Sequence, residues 1–163
     1  MNSLFPPVEN GGVYRTGSNY TEFITPWSEL IEDGIITVDD NGAMSIVGDI
    51  NGDLLVSESV KDVTGYTLYN QDKGVTGIKF SNNLKWISDE CFYRSSVLTS
   101  VTLPASLISI GFDALYSCPN LTEIIYEGTS EQWAAVSIDE NSFNGSGTTG
   151  VYCSGDGVTV PFN

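Results

Sequence analysis

The chain contains no histidine. Without an imidazole no Ser–His or Cys–His pair can form, and neither a lysine nor an N-terminal residue stands in an obvious position to act as the base. Basic residues are scarce as well. Six Lys plus Arg stand against 21 Asp plus Glu, a formal net charge of −15, and no basic residue follows Arg94. A field of that sign repels phosphate backbones and disfavours nucleic acid, while it favours solubility, cations and basic partners. The three cysteines, Cys91, Cys118 and Cys153, are odd in number and include no C-x-x-C pair. That argues against a disulfide framework and, with histidine missing, against a zinc site. No apolar run approaches transmembrane length, so no membrane insertion is expected. The opening MNSLFPPVENGG has neither the basic nor the apolar stretch of a secretory signal. With 163 residues, 40% hydrophobic and 17% charged, the chain reads as about one folded, surface-polar domain.

What the chain does have is self-similarity. Thr76–Leu98 (TGIKFSNNLKWISDECFYRSSVL) and Thr99–Leu121 (TSVTLPASLISIGFDALYSCPNL) superpose at a 23-residue step. Ile78 matches Val101, Phe80 Leu103, Leu84 Leu107, Ile87 Ile110, Phe92 Leu115 and Tyr93 Tyr116. An earlier copy over 52–75 places Leu54, Val56, Val60, Val63, Leu68 and Tyr69 in the same slots, and a fourth begins at Thr122 and departs from the pattern. A fixed period in this range marks a solenoid, because no single unit can bury its apolar face alone. The start of each unit alternates with a period of two, as a short strand with one inward face does. Pro104, or Ser81-Asn82, ends that strand. The second half of each unit predicts a returning segment with a single helical or 3₁₀ turn. Stacking then predicts a parallel sheet on one side and irregular coil on the other.

LTSVTLPASLISIGFDALYSCPNL resembles the leucine-rich repeats of the BspA-like class, with Leu115 where that class has an aromatic. IIYEGTSEQW is similar to that family's closing segment. The resemblance implies an α+β fold: a short leucine-rich-repeat solenoid of three to four coils, mostly β with short helical turns, capped at both ends. It also implies surface recognition of proteins or glycans. Cys118 falls where the family often has cysteine, and Cys91 aligns with Ala114, so both read as small core filler.

The flanks complete the organisation. Residues 1–24 read as an extended arm whose aromatics Phe5, Tyr14, Tyr20 and Phe23 are too many for a free tail. They are candidates for contact with a partner, with homo-oligomerisation one form of it; the alternative is packing across their own solenoid. Residues 25–51 predict a cap, with a helix capped by Thr25, Pro26 in its first turn, and Gly34 at its end. A hairpin over 35–47 turns at Asn41-Gly42. Repeats of about 23 residues occupy 52–128, and 129–163 form a C-terminal cap with Trp133 on the last coil and a closing hairpin over 151–160.

Three groups are candidate sites. Asp49, Asn51 and Asp53 have the D-x-N-x-D spacing that opens a calcium loop. The sixth and twelfth positions hold Leu54 and Val60, where such a loop needs glycine and an acid, and the plain alternative is a polar turn. No metal and no cofactor is therefore expected. The sheet face should present Asp53, Gly77, Ser100 and Glu123 in one lane and Leu55, Lys79, Thr102 and Ile125 in the next. Of these Lys79, Thr102 and Ile125 are candidate contacts, although no aromatic or arginine anchor appears among them. Trp86 aligns with Ser109 and Asp62, a polar slot, which makes it a candidate anchor or a residue packed under the arm. Tyr69, Tyr93 and Tyr116 recur once per coil and should stack as an internal ladder. Together these features lead to a non-catalytic interaction or adhesion protein that acts as a surface component of a larger assembly. A phage virion decoration or fibre-type protein fits the small size, the acidity and an opening without an export signal. A bacterial cell-surface adhesin binding host protein or glycan is the alternative, and a calcium-dependent carbohydrate-binding module a third reading.

Overall fold

The computed structural model describes residues 11–16 and 21–162. The chain enters through β1 (Gly12–Thr16) and β2 (Thr21–Pro26), an antiparallel hairpin. The helix α1 (Trp27–Glu32) follows directly. Its N-cap is Pro26, with no side-chain cap, so the expected Thr25 cap is not made: β2 runs through Thr25 and leaves it in a strand. The C-terminal end matches expectation. Gly34 takes φ 70° and donates to Ile31 O, while Ile35 N donates to Leu30 O, which satisfies two of the helix's last carbonyls.

β3 (Ile36–Val38) and β4 (Ala43–Ile46) form the second hairpin. The Asp39 carboxylate accepts from the backbone N–H of Asn41 and Ala43 at 2.8 and 3.0 Å, and Gly42 supplies a positive φ of 80°. Each coil then gives a long strand and a short one: β5 (Gly52–Leu55) and β6 (Asp62–Val63), β7 (Val75–Lys79) and β8 (Trp86–Ile87), β9 (Ser100–Leu103) and β10 (Ser109–Ile110). β11 (Glu123–Tyr126) is followed by α2 (Ser130–Ala134) and β12 (Ser137–Ile138), and β13 (Gly150–Cys153) with β14 (Val158–Pro161) closes the chain.

The long strands build one eight-stranded sheet in the order β14-β13-β11-β9-β7-β5-β1-β2. Leu54, Ile78, Val101 and Ile124 lie in one register across it, all buried, at one step of 24 residues followed by two of 23. β13 adds a parallel strand beside β11, one coil more than the three to four expected. The step from Ile125 to its partner Tyr152 is 27 residues, because α2 and the following loop lengthen the last repeat and hide its register.

The other side of the solenoid is a sheet too. The short strands form a six-stranded sheet in the order β12-β10-β8-β6-β4-β3, where irregular coil was expected. Coil lengths of 24 and 23 residues bring these segments level, so Val63, Ile87 and Ile110 align and each pair of neighbours closes its hydrogen bonds. The β3–β4 hairpin caps this second sheet through β4 alongside β6, whereas β1–β2 cap the first sheet through β1 alongside β5. The expected helical turn in each coil is absent from the three complete repeats. Instead, each turn carries two residues with positive φ four apart: Tyr66 and Asn70, Glu90 and Arg94, Asp113 and Ser117. Backbone bonds such as Leu68 N to Cys91 O (2.7 Å) and Phe92 N to Ala114 O (2.8 Å) stack these turns. The core lies between the two sheets and the stacked turns that join them, from Trp27 and Leu30 at one end to Trp133 and Val151 at the other.

Candidate protein-contact surfaces

The alternation that buries Leu54, Ile78, Val101 and Ile124 turns their neighbours outward. Asp53, Gly77, Ser100 and Glu123 form one lane, and Leu55, Lys79, Thr102 and Ile125 the next. Tyr152 continues the second lane beside Ile125 and is 44% exposed. Sequence reading did not find this aromatic anchor, because the last repeat is out of step. The available signal was the alternation Val151, Tyr152, Cys153, with only the middle residue exposed. Leu55 is buried, so the accessible part of the lane is Lys79, Thr102, Ile125 and Tyr152. Lys79 reaches Glu127 at 4.0 Å, an exposed ion pair that holds little stability but fixes a local dipole.

The expected arm divides. Phe5 and Tyr20 lie outside the described residues. Tyr14 is 2% exposed and so has no surface to give a partner, contrary to its candidacy; burial also pushes its phenol pKa up. Phe23 is 46% exposed, with its ring 5.3 Å from that of Tyr14. Trp86 stands 44% exposed on the second sheet, so it belongs to a different surface from Lys79, Thr102 and Ile125.

Asp49 and Asn51 are exposed, whereas Asp53 accepts a hydrogen bond from Thr76 Oγ1 at 2.6 Å and is tied into the first-sheet lane. Among the described residues no group of three or more His, Cys, Asp or Glu is placed to hold a metal ion. The tyrosine ladder forms as expected. Tyr69 stacks on Tyr93 at 4.8 Å and Tyr93 on Tyr116 at 5.3 Å, with Tyr66 edge-on at the end of the row. The rings occupy each other's faces, which leaves phenol edges rather than a stacking platform. Cys91, Cys118 and Cys153 are free and buried. Burial pushes all three thiols up, Cys118 to about 11, which keeps them protonated and poor nucleophiles.

The family model for the BspA type Leucine rich repeat region matches residues 53–149 in 6 copies, more than half of the 163 residues. The chain belongs to the BspA-type leucine-rich-repeat family. No curated protein and no solved structure matches it. A BspA-type repeat assigns the chain to protein–protein interaction or adhesion. Among the described residues no helix is long and apolar enough to cross a membrane. Within the BspA-type frame, Lys79, Thr102 and Ile125 are consecutive outward positions of the repeat strands. Tyr152 extends them just beyond the matched segment.

Proposed function

We propose that this BspA-type repeat protein is a non-catalytic protein-binding module that works as a surface component of a larger assembly. In its most specific form it is a decoration or fibre-type protein of a phage virion. The observation that carries the binding role is the lane Lys79–Thr102–Ile125–Tyr152. It sets a cation, a hydroxyl, a branched apolar group and a tyrosine on adjacent strands about 4.8 Å apart. Tyrosine is among the residues that dominate interface energies, and a strand-mounted row loses little conformational entropy on docking. The absence of histidine and the buried, protonated thiols support the non-catalytic part. The net charge of −15 supports a protein held at high local density without self-association.

Immunogold electron microscopy with antibody raised against the purified chain tests the assembly reading on particles and cells of the source culture. Gold on particles, with bare cells, is the expected result. Gold confined to cell envelopes replaces the virion form with the adhesin form. Gold on neither overturns the assembly reading.

A further inference from the structure

The second sheet has an outward face of its own. Asp62, Trp86, Ser109 and Ser137 occupy one register across β6, β8, β10 and β12. Ser88, Gly111 and Asp139 line the same recess two residues further along the strands. Gly111 leaves a gap in that row, and the Asp89 side chain fills it. A Cβ on Gly111 would meet Asp89 Oδ1 and come within 2.7 Å of Asp89 N. Asp89 is held there by the Phe112 N–H, which donates to its Oδ1 at 2.9 Å. The result is a recess of about 450 Å³, with Trp86 as an aromatic wall and the carboxylates of Asp62, Asp89 and Asp139 around it.

Its electrostatics are one-sided. Asp62 accepts from Ser88 Oγ at 3.1 Å, yet burial raises its carboxyl pKa, and nearby Asp39 raises it further. Among the described residues, no lysine or arginine forms an ion pair with any of the three acids. Trp86 is the exposed one of the chain's three tryptophans, since Trp27 and Trp133 are buried.

We infer that this recess docks an arginine side chain carried on a partner protein. A guanidinium is planar, stacks on an indole and forks onto carboxylates, and it is less strongly hydrated than an ammonium. Tryptophan is the strongest ring for such a cation. A neutral sugar stacks on Trp86 equally well but leaves three carboxylates uncompensated. The inference rests on the chain being a protein-binding module, but it uses a different sheet from the Tyr152 lane, so the two surfaces are tested separately.

The probe is a capped Gly-Arg-Arg-Gly peptide, titrated into the full chain at low salt and followed by tryptophan emission and calorimetry. Its citrulline counterpart has the same shape without the charge. A saturable emission change with the arginine peptide and none with the citrulline peptide is expected. Trp86→Ala should weaken calorimetric binding about tenfold. Asp62→Asn with Asp139→Asn should weaken it comparably, while Glu32→Gln with Asp33→Asn, which removes as much charge from the C-terminal end of α1 and its cap, leaves it intact. Asp139→Asn alone, at an exposed site, serves if the double variant fails to fold. Tyr152→Ala should have no effect. Equal losses from the two charge-removing pairs would reduce the site to general attraction and overturn the inference. So would an emission response to maltose in place of the arginine peptide, or no saturable response at all.

Discussion

Cys118 sits at 0% exposure, its thiol donating to Phe92 O at 3.2 Å. Burial raises its pKa to about 11, against roughly 8.5 for a thiol in an unfolded chain. The folded state therefore keeps a proton that the unfolded state loses. This contribution to stability is complete below about pH 8.5 and declines as pH rises towards 11. Thermal melts at pH 8 and pH 10.5 should show a larger drop in Tm for the native chain than for Cys118→Ala; equal drops would place the effect elsewhere. Residues of this kind were legible in the sequence, because Cys91, Phe92, Leu115 and Cys118 fall on a counted period. Trp86 was legible as outward-facing for the same reason, through its alignment with Asp62 and Ser109. The left-handed turn residues were not. Arg94 and Ser117 adopt φ of 58° and 56° because the stack dictates the turn, and their side chains carry no mark of it.

At the scale of single elements, α2 shows a complete local signal. Thr129 Oγ1 accepts from Gln132 N at 3.2 Å, and Thr129 N donates to Gln132 Oε1 at 2.9 Å. This reciprocal cap holds Trp133 with its ring 5.1 Å from that of Tyr126, over the end of the core. Thr129→Ala should cost about 1 kcal/mol of stability, measured as a lower urea midpoint at unchanged slope. A changed slope would mean that the last coil had come apart with the cap. Other elements left weaker traces. A two-residue strand such as Trp86–Ile87 offers one inward side chain, too few for alternation to be counted, so the second sheet emerges only once the coils are stacked. The N-terminal hairpin was hidden differently. Between Val13 and Tyr14 the pairing skips Ile24, a bulge that breaks the period of two in β2 and leaves the segment reading as an irregular arm.

For the molecule as a whole, the outline was legible and the surfaces were partly so. The repeat alignment correctly paired Lys79, Thr102 and Ile125. It could not carry that lane on to Tyr152, nor bring Asp139 into the recess that Trp86 walls. Asp139 lies within the lengthened last repeat and Tyr152 at its far end, where counting in 23s fails. The two sheets also share one property. Their strands run across the long direction of the stack, so their interstrand hydrogen bonds lie along it. A pull applied from the β2 end to the β14 end loads one row of bonds at a time and never many rows in shear. The protein should therefore extend under tension as a series of small, low-force steps, each releasing one coil. Optical-trap traces with a single cooperative rupture would contradict this. A stack built this way should yield gradually under load and recoil by restacking, as a shock absorber does and a rigid strut does not.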